Sequence, residues 1–185
     1  DADGDGEIDA GDRQFVGTPW PTLQGGLQFN GMYGPFSLNI QVNGSYGNKI
    51  YNDVRRILDG YQNTNFRNDI SPWTPGNTNT DDPRIGLATD PDINDNNLPT
   101  SDRWLEDGSY IRLRNVEISY NLPQLLLDKI KFSNARVYIS GQNLVTLTKY
   151  TGLTPDIPGG MLDFGADYGT WPASRIISFG LNCSF

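Results

Sequence analysis

Apolar and polar residues alternate along five separate stretches of this chain, and the polar partner is most often an amide, a serine or a glycine. The final stretch shows the pattern most plainly. Ile177, Phe179, Leu181, Cys183 and Phe185 fall on one parity, and Ser178, Gly180, Asn182 and Ser184 on the other. A period of two describes a β-strand with one apolar face and one wet face. Leu23, Leu27, Phe29 and Tyr33 oppose Gln24, Gln28 and Asn30 in the same way, and after Gly34-Pro35 a second run sets Phe36, Leu38, Ile40 and Val42 against Ser37, Asn39, Gln41 and Asn43. Two such runs around a tight Gly-Pro turn predict a hairpin. Val116, Ile118, Tyr120 and Leu122 alternate with Glu117, Ser119 and Asn121, and Ala135, Val137, Ile139 and Gly141 with Arg136, Tyr138, Ser140 and Gln142.

A soluble sheet turns Lys and Glu to solvent. Small and amide side chains instead suit the crowded, hydrated interior of a wide barrel. The alternation alone is equally compatible with a soluble antiparallel sandwich. Link lengths separate the two. Gly34-Pro35 and residues 123–131 are short, whereas residues 48–108 and 148–172 are long. Outer-membrane barrels alternate short periplasmic turns with long extracellular loops, and compact domains seldom carry long irregular loops. With the last strand running inward, both long links and the segment before Leu23 fall outside. Tyr33, Phe36 and Tyr120 flank the short turns and Phe185 ends the chain, which fits an aromatic girdle. Five strands cannot close a ring, and the smallest membrane barrels have about eight. The expected fold class is therefore all-β, an antiparallel transmembrane β-barrel segment of about five C-terminal strands belonging to a larger barrel. Residues 1–22 form an extracellular loop and residues 23–185 the barrel strands. The chain starts at Asp1 without an initiator Met or a leader, as expected of a mature product or of the tail of something longer.

Charge and composition exclude several functions. Lys+Arg is 14 against Asp+Glu 22, a formal net charge of −8, and no basic cluster is visible, so a nucleic-acid partner is not expected. There is no histidine, which removes the commonest general base and transition-metal ligand. The single cysteine, Cys183, leaves no internal disulfide framework. No apolar run is long enough for a transmembrane helix. Neither a nucleophile elbow nor a phosphate-binding glycine loop occurs, and Glu106 and Asp107 are adjacent, so on a strand they point apart. No enzymatic activity is expected.

Two features point to binding. "DADGDGEIDAGD" places Asp1, Asp3, Asp5, Glu7, Asp9 and Asp12 around Gly6, the spacing of an EF-hand-type calcium loop. Asp in place of Glu at the twelfth position shortens the reach for bidentate ligation, and no amphipathic helix precedes the loop. A structural calcium ion is the expected cofactor, with an acidic solvated turn as the alternative. In the long loop, Trp73 and Trp104 are candidates for stacking on a sugar, or else pack the loop on itself. Asp156, Asp163 and Asp167 read as turn formers.

Several blocks occur in the order of a known family: "DGDGEIDAGDRQFVGTPWPTLQGGL", "YGNKIYND", "WTPGNTNTDDPR", "WLEDGSYIRLRNVEISYNLP", "RVYISGQNLVTLTKYTGLTPD" and "PASRIISFGLNCSF". The whole chain resembles the C-terminal part of SusC/RagA-like TonB-dependent outer-membrane transporters of Bacteroidetes. The resemblance implies a 22-stranded barrel with an N-terminal plug, a SusD-like surface lipoprotein as lid, and TonB-driven import of oligosaccharides or peptides. It also implies that the plug and TonB-contacting segment lie elsewhere in the protein. Asn39, Gln41, Tyr138 and Gln142 would face the lumen by parity. A secreted calcium-dependent carbohydrate-binding module is the alternative, and a glycan-degrading domain the least supported.

Overall fold

The computed structural model describes residues 4, 6, 10–59, 67–85, 101–159 and 164–185. Five long strands, β1 (Leu23–Tyr33), β2 (Phe36–Tyr46), β5 (Tyr110–Asn121), β6 (Asn134–Thr148) and β8 (Ile176–Ser184), form one sheet in the order β1-β2-β5-β6-β8. Every neighbouring pair is antiparallel. These are the five stretches whose alternation predicts them. Gly34 closes the β1–β2 hairpin at φ 56°, the sign that two-residue primed turns require at their first central position.

The register aligns the two parities across the sheet. One row runs Tyr33, Phe36, Tyr120, Val137, Leu181, and the next Gly31, Leu38, Ile118, Ile139, Phe179. Phe36 and Tyr120 touch, with ring centroids 4.9 Å apart. This apolar face is bare: Phe179 is 78% exposed and Leu181 62%. Along these two rows most of the large apolar side chains lie open.

The alternation shifts midway. Between Asn115 and Leu113 the register slips against both neighbours, leaving Arg114 as an extra residue in β5 and Asn143 and Leu144 as extras in β6. Asn143 takes φ 51°, a value Asn tolerates better than most residues. Beyond the bulge the apolar series of β5 moves from Val116, Ile118 and Tyr120 to Leu113 and Ile111. Arg112 thereby turns to the polar side, where it is 3% exposed.

Both long links leave the same end of the sheet, where Ser45 pairs with Tyr110 and Tyr110 with Thr148. The short links occupy the other end. The second of these holds a helix, α2 (Gln124–Ile130). The long links fold together as a module. β3 (Lys49–Asn52), α1 (Asp53–Asp59) and β4 (Leu105–Asp107) come from the first, and β7 (Ala166–Asp167) from the second. β3 pairs antiparallel with β4 and parallel with β7, giving a small sheet of order β4-β3-β7. The buried side chains Ile50, Trp104 and Tyr150 lie here. Among the described residues no helix is long and apolar enough to cross a membrane.

Candidate functional site

The polar face of the main sheet is a continuous hydrogen-bonding surface. One row sets Asn30 beside Asn39, Glu117, Ser140 and Ser178, and the next sets Met32 beside Ser37, Ser119, Tyr138 and Gly180. The Asn39 amide donates to Asn30, and its carbonyl accepts from the Asn115 amide at 3.1 Å. Arg136 pairs with Glu117 on the neighbouring strand, and its guanidinium lies 5.9 Å from the Tyr138 ring centroid. Asn30, Ser37, Asn39, Glu117, Ser119 and Arg136 line a groove of about 360 Å³. Gln41 and Gln142 flank Asn115 in register, so the four residues expected on the polar side by parity share it. Amides, hydroxyls and one ion pair can exchange hydrogen bonds with a hydroxylated or peptide-like solute passing along them.

Above this face the loop module is held by buried polar clusters. Glu106 collects donors from three segments: the Asn52 amide at 3.0 Å, Arg55 at 3.3 Å, and the Thr151 backbone N–H at 2.8 Å. The same Asn52 accepts from the Arg55 N–H at 2.9 Å, which caps the start of α1. Along α1, Arg56 meets Asp53 at 2.7 Å and Arg55 meets Asp59 at 3.3 Å. The hydrogen bond to Asp53 raises the Arg56 pKa above its ordinary value. Arg67 stands 3.0 Å from the buried Asp59.

In the second long link the Tyr150 hydroxyl donates to Asp167 at 2.5 Å, and Asp167 also accepts from the N–H groups of Gly169 and Thr170 at 2.9 and 2.8 Å. Burial, reinforced by this carboxylate, pushes the Tyr150 hydroxyl far above its ordinary pKa. Burial works against Asp167 as an anion, but the donors from Thr170, Tyr150 and Gly169 hold its pKa below the usual value. Arg112 ties this link to the sheet. Its guanidinium reaches Thr146 at 3.0 Å, Asp156 at 2.9 Å and Thr154 at 3.3 Å.

The residues proposed from sequence fare differently. Asp1, Asp3, Asp5, Glu7 and Asp9 lie outside the described residues. Asp12 ends a 3₁₀ turn, Ala10–Asp12, and is half-buried. Among the described residues no three carboxylate, cysteine or histidine side chains gather as a metal site. Trp104 is 1% exposed, the largest fully buried side chain among the described residues, and serves as local core rather than as an open platform. Trp73 is 39% exposed, and its backbone N–H bonds the Asp82 carbonyl at 3.0 Å. Asp167 forms a turn, as expected, and Asp156 is an ion-pair partner. Asp163 lies outside the described residues. Sequence reasoning does not single out Trp171, which is 83% exposed and borders a hollow of about 460 Å³ with Arg175, Leu153 and Thr146. No periodicity surrounds Trp171, so its exposure has no sequence signal beyond its place in a long link.

No protein-family model matches the chain. Among curated proteins, the TonB-dependent receptor P3 of Formosa agariphila is 34% identical over the full chain, which spans 18% of that receptor. The TonB-dependent receptor SusC of Bacteroides thetaiotaomicron is 26% identical over the full chain, 17% of its length. Over its whole length the chain is similar to TonB-dependent receptors of the SusC/RagA kind. A structure of the RagAB peptide transporter superposes with a TM-score of 0.79 at 24% identity, covering 97% of this chain and 19% of the matched one, and supports the same fold. The chain thus spans about a fifth of the length of its SusC-like relatives. As a segment of a transmembrane β-barrel, the five-stranded sheet is a piece of wall. Its bare apolar face is the lipid side and its amide-rich face the bore side.

Proposed function

We propose that this chain supplies part of the wall and outer vestibule of an outer-membrane importer of oligosaccharides or other nutrients, working with a SusD-like lipoprotein lid. The observation that carries the reading is the two-faced sheet whose long links gather at one end into a single packed module. In the importer, that module faces outward and meets substrate and lid. The short links face the periplasm. Force relayed by TonB acts on a plug contributed by the rest of the protein, and opens a path along Asn30, Asn39, Asn115 and Glu117. Substrate crosses with its bonds intact, exchanging water for amide and hydroxyl partners. The bare apolar face weighs against a secreted carbohydrate-binding module, which would have to leave large aromatics in water.

The reading is tested in cells carrying the full receptor. Removing residues 67–85 and 101–104 should abolish uptake of the cognate nutrient and co-purification of the lipoprotein while a folded barrel is retained in the outer membrane. Undiminished uptake and lid capture would overturn it. Residues 1–12 enter the same reading as a calcium-ordered loop on the outer side.

A further inference from the structure

The outward series of β6 begins at Ala135 and continues through Val137 and Ile139. Val137 and Ile139 are 40% and 41% exposed, as wall residues facing lipid should be, yet Ala135 is only 1% exposed. Its partner across the strand pair, Cys183, is exposed. What covers Ala135 is local. Helix α2 packs against β6, and its Leu127 is 3% exposed. The helix therefore lies on the lipid-facing surface of the wall, on the opposite side from anything that fills the bore. There it leaves Leu125 81% and Leu126 49% exposed.

Depth along the strands fixes what these leucines meet. The aromatic row Tyr33, Phe36, Tyr120 is in register with Val137, and such girdles mark the water boundary of a membrane barrel. Ala135 stands two residues further toward the short-link end, about 7 Å along the strand, so α2 sits at headgroup level. Lys129 and Lys131 are both exposed at the end of the helix. Exposed leucines beside exposed lysines at this depth match a lipid interface, where apolar side chains enter the acyl boundary and amines meet phosphates.

We propose that α2 is a lipid-contacting collar segment. Leu125 and Leu126 enter the acyl boundary of the leaflet at the short-link end, and Lys129 and Lys131 pair with phospholipid phosphates. The assignment rests on the wall reading above and extends the lipid contact from the strands to the link between them.

The test uses the full receptor reconstituted in phosphatidylglycerol-containing vesicles, with native cysteines replaced, Cys183→Ser among them. Nitroxide labels are placed singly at Leu125→Cys, Phe179→Cys and Asn39→Cys, and collision with oxygen is compared with collision with a water-soluble nickel chelate. Position 125 should resemble 179, with oxygen favoured, and differ from 39. K129E with K131E should move position 125 toward the nickel reagent. A nickel-favoured reading at 125 while 179 stays lipid-like would overturn the collar alone, as would shielding of 125 from both reagents by another protein. An unchanged position 125 in the double-glutamate variant would overturn the phosphate pairing. A nickel-favoured reading at 179 would overturn the wall reading itself.

Discussion

The ring of Tyr138 fills the space over Gly180 on the neighbouring strand, where any side chain at position 180 would stand. The two residues are in register on the bore face, so the aromatic covers a strand position that glycine leaves empty. Gly180→Val should expel the ring into the groove beside Arg136. We expect a loss of about 1–3 kcal/mol, as for other overpacked sites, read as a lower denaturation midpoint of the full receptor in detergent. Ser178→Ala, one row away, serves as the control and should shift the midpoint little. Equal midpoints for the two variants would show that Tyr138 has somewhere else to go.

Glu106 joins the two long links, because its carboxylate bonds Asn52 and Arg55 of one and Thr151 of the other. Replacement by Ala leaves the Thr151 N–H without its acceptor and the buried Asn52 amide with only a long 3.4 Å bond to the Thr151 hydroxyl. Hydrogen bonds to a charged group contribute about 1.5–3 kcal/mol each. The change should loosen the loop module without unfolding the wall. Limited proteolysis of the full receptor should then cut within residues 149–159 much faster than in wild type, while the resistance of the barrel to unfolding stays unchanged.

Acid should act on the same module. Asp82, through the Ser71 N–H and Arg103, and Asp107, through the Ser109 hydroxyl and N–H, are both held below the ordinary value of 3.8, as is Asp167. A carboxylate depressed in the folded state stabilises the fold fully above its unfolded value, and that contribution is lost as pH falls through the lower folded value. The module should therefore be constant from neutral pH down to about 4 and loosen only below it. Tyr150, shifted upward, keeps its bond to Asp167 as pH rises through the ordinary tyrosine range. Fluorescence of the buried Trp104, isolated by replacing the other tryptophans, should show the acid transition. A transition centred near about pH 6 would contradict this account.

The wall was legible in the sequence because burial on one side and water on the other leave a period-two trace, and all five long strands carry it. The Arg114 bulge was not legible. It exchanges the faces of Ile111 and Arg112, and nothing in "YIRLRN" marks where the slip falls. The loop module was equally hidden. Its small sheet joins Tyr51 to Ala166 in parallel, a pairing between distant segments too short to show any period. Helix α2 is faint in the sequence because its link is short and a turn or two of helix leaves little pattern in "QLLLDKI". For the site, parity put Asn39, Gln41, Tyr138 and Gln142 on one face, and the register sets them together on the polar side. The partnership of Glu106 with Thr151 depends on three-dimensional packing alone.

The acidic repeat gives a separate prediction. Isothermal titration of the full receptor with calcium should show a site that Asp3→Asn with Asp5→Asn removes, since both substitutions delete negative charge at alternate ligand positions. The Asp12→Glu change should tighten binding by restoring the longer reach for bidentate ligation. An isotherm indifferent to all three changes would assign the repeat to a solvated turn.

The two tryptophans should respond in opposite ways. Among the described residues Trp104 is the largest fully buried side chain, so Trp104→Ala opens a cavity and should cost about 3–5 kcal/mol within the loop module. Its effect on nutrient binding would follow from that collapse, and Trp104→Phe should recover much of both. Trp73 is partly open, anchored through its backbone to Asp82 rather than through its ring. Trp73→Ala should therefore leave the module's stability nearly intact. If its ring stacks on a sugar, the substitution should weaken oligosaccharide binding to the full receptor by about 1 kcal/mol, roughly fivefold. Binding unchanged by Trp73→Ala would remove it as a contact and direct attention to Trp171, whose ring is the more exposed of the two and borders the hollow beside Arg175.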